Sequence, residues 1–298
     1  MLGRVHNRSD LSSGAIARLD DMDQELPRQS KKRLARADIH EQWQRDYLGP
    51  DLDRFYDAAF ARIVDELRDS TGKSVLDLGC GYCYHTTRLA RSDLDITAAD
   101  FSEAALAQAR ERLRDAGLAD RVALRLADAT RMPFADASFD SVVMWGVLMH
   151  IPECEKALGE IARVLKPGGK FVLAENNARS LEVVFLERLV NVAKRALGRV
   201  PHERRRVPLG IEEWQVAGSD GLMVRKTDMP ALVRHCSGLG LELKKRFAGQ
   251  FTEAYVRVPT RLAKRAIHAF NRLYFSRVGR PGPALSNVLV FRKRRTPS

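Results

Sequence analysis

Apolar positions along this chain follow two rhythms. From Asp53 to Leu67, residues Phe55, Ala58, Ala59, Ile63 and Leu67 return every three or four positions, the stripe of an amphipathic helix. Short apolar runs then alternate with helical stretches. Strands are expected near 74–78, 94–99, 121–126, 139–145 and 169–175, and helices near 83–91, 102–115 and 153–165. Strands separated by helices predict a doubly wound α/β fold, with a mostly parallel sheet covered on both faces.

Beyond Glu175 the rhythm breaks. A basic amphipathic helix is expected over 181–199 and irregular chain over 200–227. Met229–Leu239 returns to helix and Leu241–Phe247 to strand, and a second basic helix is expected over 260–275. Gly279-Arg280-Pro281-Gly282-Pro283 is a strong turn before a last strand, Asn287–Arg292, which brings the sheet to seven strands. Residues 1–35 are polar without sustained periodicity and predict a flexible arm, leading into a helical stretch through Trp43 and Tyr47. The expected organisation is that arm and one domain, 36–298, with a ligand-binding core at 53–175 and basic cap insertions at 176–228 and 250–283.

At 298 residues the chain suffices for one large α/β domain with additions. No apolar run approaches the roughly 20 residues of a membrane span. Met1-Leu2-Gly3-Arg4 runs into polar sequence, so no secretory signal is expected. Cys80, Cys83, Cys154 and Cys236 show no disulfide framework, which points to a reducing, cytoplasmic setting. Charge changes the picture more. The net charge is +12, yet residues 1–179 carry −3 while residues 180–298 carry +15, and no acidic residue follows Glu253. Such asymmetry concerns partners rather than fold.

The candidate chemistry gathers at the first strand–helix turn, Val75-Leu76-Asp77-Leu78-Gly79-Cys80-Gly81. Glycines there let the chain turn sharply and let a ligand approach the main chain. A nicotinamide fingerprint wants a third glycine where Tyr84 stands, and a P-loop wants Gly-Lys-Ser/Thr, which is absent, so a cofactor without phosphates fits better. Asp100 ends the second strand, where an acid can accept bonds from ribose hydroxyls. Asp128 follows the third strand and can accept from an adenine amine. Three acids on successive strand tips suit a cofactor carrying an ammonium, a ribose and an adenine.

Together with Met132–Asp140 and Leu165-Lys166-Pro167-Gly168-Gly169, these segments resemble the class I S-adenosylmethionine-dependent methyltransferases of the "type 11" small-molecule kind, over about residues 53–175. The resemblance implies a Rossmann-like methyltransferase fold with S-adenosyl-L-methionine as cofactor. It places Gly79 and Gly81, with Asp77 and Cys80 in the same loop, under the methionine part. Asp100 and Phe101 fall at the ribose, Asp128 and Ala129 at the adenine, and Trp145 or Gly146 beside the donor. One departure stands out: Cys83 occupies the position of the family's third glycine, from which a narrower pocket is expected. Cys80 and Cys83 supply only two of the four ligands a structural zinc needs. Gly146 and Met149 stand where quinone O-methyltransferases of this family place glutamates, so no metal is expected.

His150, after the fourth strand, is the candidate general base, since hydroxyl acceptors must lose a proton and an imidazole titrates near neutrality. The alternative is a histidine that only shapes the pocket. Tyr47, Phe55 and Tyr56 are candidates for a lid, or simple helix packing. Asp136 and Asp140 are assigned to a turn and the start of a strand. The expected function is O- or N-methylation of a small, lipophilic acceptor, with the basic helices 181–199 and 260–275 on an anionic membrane surface or merely solvated. Two alternatives remain: a nucleic-acid methyltransferase using the basic half, and a non-catalytic binding protein. Against nucleic acid, Met144-Trp145-Gly146-Val147 replaces the Asn/Asp-Pro-Pro-Tyr/Phe of base-methylating enzymes, and no aromatic RNA-binding platform is evident.

Overall fold

Pro50, fixed in φ and followed by Asp51 and Asp53, starts the amphipathic helix at a position where a missing N–H costs nothing. A computed structural model of the chain describes residues 25–47, 49–186, 189–190, 192, 203–214 and 222–295. Its helices are α1 over 25–34, α2 (Ala37–Tyr47), α3 (Pro50–Arg68), α4 (Thr86–Ala90), α5 (Glu103–Asp115), α6 (Cys154–Val164), α7 (Met229–Gly238) and α8 (Arg261–Leu273). Its strands are β1 (Ser74–Leu78), β2 (Asp95–Asp100), β3 (Val122–Leu126), β4 (Phe139–Trp145), β5 (Leu165–Asn176), β6 (Glu203–Val207), β7 (Gly210–Trp214), β8 (Met223–Thr227), β9 (Leu241–Ala248) and β10 (Ser286–Lys293).

Among the described residues, seven strands form one sheet in the order β3-β2-β1-β4-β5-β10-β9. Neighbours are parallel except around β10, which runs antiparallel to both β5 and β9. This is the expected doubly wound fold. Alternate residues face opposite layers, as the strand period of two requires. Leu76, Val142, Met144 and Leu173 pack against Leu158, Ile161 and Leu232 of α6 and α7. Val75, Ile96, Val143 and Val172 pack against Phe60, Ile63, Leu89 and Leu113 of α3, α4 and α5. The turn at Lys166–Gly169 loops out of β5, since Leu165 pairs with Phe139 and Lys170 with Ser141.

Two expectations change. Residues 25–34, read as part of the polar arm 1–35, are helical, and residues 1–24 lie outside the described residues. Residues 200–227, expected to be irregular, carry a three-stranded antiparallel sheet, β6-β7-β8. Its inward positions include Glu212 and Arg225, which interrupt the apolar–polar alternation that marks a strand. The 181–199 segment is a π-helical turn over Glu182–Leu186 with further helical residues at 189–190 and 192. Residues 193–200 lie outside the described part. Among the described residues no helix is long and apolar enough to cross a membrane.

Candidate active site

The loop after β1 is built by the main chain of its neighbour. Gly79 and Cys80 donate to the carbonyl of Ala99 at 2.7 and 3.1 Å. Asp100 Oδ2 accepts from the Gly81 amide and Oδ1 from the Ser102 amide, both at 2.9 Å. Each oxygen keeps a further lone pair for a ligand hydroxyl. Gly79 and Gly81 lie at φ +76° and +53°, the left-handed region that favours glycine. Asp77 stands apart. It is buried, accepts from Thr86 Oγ1 at 2.6 Å and does not line the cavity described below, and burial pushes its carboxyl up to about 6. It steadies the loop through the start of α4.

At the carboxyl ends of these strands lies a cavity of about 860 Å³. Gly79, Cys80, Gly81, Asp100 and Phe101 form one wall. Asp128, Ala129, Trp145, Gly146 and His150 continue it, so the structure gathers nearly all the sequence-derived site residues around one space. Asp128 Oδ1 accepts from the amide and hydroxyl of Thr130, both at 2.8 Å, so it shapes its own turn as well. Tyr47 and Tyr56 line the cavity, whereas Phe55 packs in the core against Phe275. The narrowing expected from Cys83 does not occur. Cys83 adopts φ +61°, is fully buried among core residues and is absent from the cavity wall. Its left-handed backbone delays the helix expected at 83 until Thr86.

His150 sits in a 3₁₀ turn after β4. Its Nδ1 is 3.0 Å from the carbonyl of Met223. A carbonyl only accepts, so Nδ1 carries the proton and Nε2 keeps a lone pair. Burial holds the imidazole below its ordinary value, with the Arg225 charge adding to that. The ring stacks on Trp43 of α2 at 5.3 Å between centroids.

The cap sheet fixes this turn from below. Arg225 donates to the carbonyls of Leu148 and Pro152 at 3.1 and 3.0 Å, and to Glu212 Oε1 at 2.7 Å. Both charged side chains are nearly fully buried. Thus β8 holds the candidate base twice, by the Met223 carbonyl and by the Arg225 fork.

Sequence reasoning missed this pair, and apart from Tyr47 it missed the α1 and α2 residues that line the cavity, Lys31, His40 and Trp43 among them. Lys31 pairs with Asp128. His85 was also missed. It lines the cavity, stacks on Phe60 at 4.9 Å, and burial pushes it down to about 3. An available signal was the charge placed at an alternating inward position in Met223-Val224-Arg225-Lys226-Thr227. Asp140 accepts from Thr71 and Lys166 at the start of β4, and Asp136 pairs with Arg163, both as expected. Among the described residues no three His, Cys, Asp or Glu side chains form a metal-binding group.

A methyltransferase-domain family model matches residues 76–173. Methyltransferase GfsG of Streptomyces halstedii is 39% identical over 115 residues, 38% of this chain and 41% of that protein. A demethylmenaquinone methyltransferase of Parafrankia sp. is 32% identical over 187 residues, 56% of this chain and 72% of that protein. The chain spans about half the length of other curated relatives, such as 48% of a demethylmenaquinone methyltransferase of Clavibacter sepedonicus. Among solved structures, the [4+2]-cyclase SpnF superposes with a TM-score of 0.54 at 22% identity, over 80% of this chain and 82% of that one. That likeness concerns the fold.

Proposed function

The chain belongs to the class I S-adenosylmethionine-dependent methyltransferases of the type 11 kind, and from that premise we propose that it methylates a small lipophilic acceptor bound in the shared cavity, with His150 taking up the acceptor's proton. The observation that carries this reading is the hydrogen bond from His150 Nδ1 to the Met223 carbonyl, which leaves the Nε2 lone pair beside the same space as the glycine loop.

S-Adenosylmethionine, when bound, supplies a methyl group on a sulfonium centre, open to in-line attack. The residues present fit it. The left-handed glycines leave the loop free of side chains, and at Gly81 a Cβ would find no protein atom nearer than 4.0 Å, so that space is open to a ligand. The free lone pairs of Asp100 suit the ribose hydroxyls. Asp128 and Ala129 suit the adenine, and Trp145 walls the methyl end.

Beyond the donor loop the lining includes an apolar group, Ile39, Trp43, Leu222, Val224 and Leu285, beside the charged Arg204, Glu213, Lys226, Glu253 and Arg257. The apolar group supports an acceptor with a lipophilic part, and the charged residues leave room for a polar one. A neutral, buried imidazole supports a hydroxyl acceptor, because a hydroxyl must shed its proton as it attacks. The test is to incubate the purified protein with methyl-labelled donor and a cell extract, then separate the products by solvent partition and mass. Label in an organic-soluble product supports the reading; label in a water-soluble one overturns the lipophilic acceptor. Donor bound in calorimetry with no labelled product at all would instead indicate a binding protein.

A further inference from the structure

Helix α8 is mounted with its apolar side outward. Leu262, Ala266, Ala269, Phe270 and Leu273 fall on one stripe of the helix, and every one of them is exposed, Leu262 to 80%. The inward side holds Ile267, which packs on the cluster of Leu52, Phe55 and Tyr56, but its buried residues are polar. Asn271 accepts from the amides of Phe251 and Thr252 at 3.1 Å and donates to the Thr252 carbonyl at 2.9 Å. His268 stacks on Tyr255 at 4.4 Å. An amphipathic surface helix of a water-soluble domain ordinarily buries its apolar stripe; this one buries Ile267 but leaves the stripe of Leu262, Phe270 and Leu273 outside.

The described residues between 181 and 192 repeat the arrangement. Leu181, Phe185, Leu189 and Val192 are spaced four, four and three residues apart, and all are exposed, three of them to more than 60%. Glu182 is buried on the opposite side, where it accepts from the Thr252 hydroxyl, from the Glu253 amide at 2.9 Å and from Arg257 at 2.8 Å. Both anchors, Asn271 and Glu182, therefore meet on Thr252. Two outward apolar stripes lie in one region, and Val190 and Arg257 beside them line the cavity.

We propose that these two stripes form a docking surface for an anionic lipid bilayer, lying at the boundary of headgroups and acyl chains with the cavity nearby. The proposal rests on the exposed surface and not on the methylation chemistry. Its charge chooses the occupant. Arg261, Lys264, Arg265, Arg277 and Arg280 are exposed around the α8 stripe, and no acidic residue occurs from Ala254 to Ser298. Apolar residues that enter the interface beside basic residues that meet headgroups are the pattern of an in-plane membrane helix. A second copy docked on the same face would set one arginine rim against another, with no acidic side chain of α8 to offset the repulsion.

The test is flotation of the purified protein with vesicles of phosphatidylcholine alone or of phosphatidylcholine with phosphatidylglycerol. The expected result is flotation with the anionic vesicles only, reversed by salt. Leu262→Ser/Phe270→Ser/Leu273→Ser should cut the partition coefficient by roughly tenfold or more, because the buried apolar area drives interfacial binding. Phe270 meets Phe251 edge-on at 5.2 Å, so its loss should lower the thermal midpoint slightly, whereas donor binding should stay unchanged, which separates this result from any failure of the proposed chemistry. Arg261→Glu/Arg277→Glu should abolish the preference for anionic vesicles. Wild-type protein left in the soluble fraction with both vesicles at low salt would overturn the proposal. So would a triple variant that floats as well as wild type, or a solution dimer that the triple variant dissolves.

Discussion

The ammonium of Lys31 pairs with the carboxylate of Asp128 and lies over the ring of Phe101, 5.7 Å from its centroid. Helix α1 thereby sets a cation against the two residues expected to meet the nucleoside of the donor. The same helix is tied to the cap, since Ser30 Oγ accepts from the Met223 amide at 3.2 Å and Leu26 packs with Trp214 and Met223. It also reaches the start of α5 beside Asp100, where the Ala35 carbonyl just beyond α1 accepts from the Ser102 hydroxyl at 3.0 Å. It bridges the two halves of the site.

Lys31→Met should therefore tighten donor binding, because an adenine amine and the ammonium compete for Asp128. The side chains are 58% and 32% exposed, so the pair is worth at most about 1 kcal/mol, or about fivefold in Kd. Calorimetric titration with S-adenosylmethionine reads this directly. Unchanged affinity would show that the donor leaves Asp128 alone.

His150→Gln keeps a donor for the Met223 carbonyl but has no lone pair of comparable basicity. It should lower kcat by about 10²–10⁴-fold with little change in donor affinity. The wild-type pH profile follows from the depressed imidazole. With the folded value below the unfolded one, the unfolded chain binds more protons between the two. Stability is then complete above about 6.5 and falls as pH drops through that window. Activity should likewise hold through neutral pH and fall on an acid limb below about 6.5, a limb the Gln variant should lack.

The donor half of the site was legible in the sequence because its geometry is local. Gly79, Gly81 and Asp100 lie in one strand–helix–strand unit from β1 to β2, and a motif records such a unit. The residues that fold over this unit from a distance were not legible. Trp43 touches His150, and Lys31 touches Asp128, only once the chain has folded across about 100 residues. Glu203-Arg204-Arg205-Arg206-Val207 has the composition of a solvated loop, yet it pairs residue for residue with Gly210–Trp214. The most buried polar contact of the cap, Arg225 with Glu212, breaks the very alternation by which a strand is read.

That buried pair yields a stability prediction. Glu212→Ala leaves the Arg225 guanidinium buried without its counter-charge, a change that costs about 3–5 kcal/mol. Arg225 also holds the Leu148 and Pro152 carbonyls, so the His150 turn should loosen and activity fall with stability. The double variant Glu212→Gln/Arg225→Met removes both charges and should regain most of the stability in thermal unfolding. It should not regain activity, because the two carbonyls stay unheld. Full activity in the double variant would show that the fork is irrelevant to His150.

Gly79 offers the sharpest test of the donor loop, because two separate costs meet there. A Cβ at this position would fall 2.5 and 2.6 Å from the Val147 methyl carbons, and the residue sits at φ +76°. The backbone cost alone is about 1–2 kcal/mol for a residue with a Cβ. The chain tolerates such a cost at Cys83, which holds φ +61° while fully buried, so conformation by itself does not demand glycine. The clash does. Gly79→Ala should destabilise the fold and weaken S-adenosylmethionine binding by about tenfold or more, because the loop must shift away from Val147 and carry its amides with it. Pairing it with Val147→Ala removes the methyls in the way and should recover donor affinity in calorimetry, leaving only the backbone strain. If the double variant binds no better than Gly79→Ala alone, the glycine is required for the ligand's own approach rather than for the packing beneath the loop.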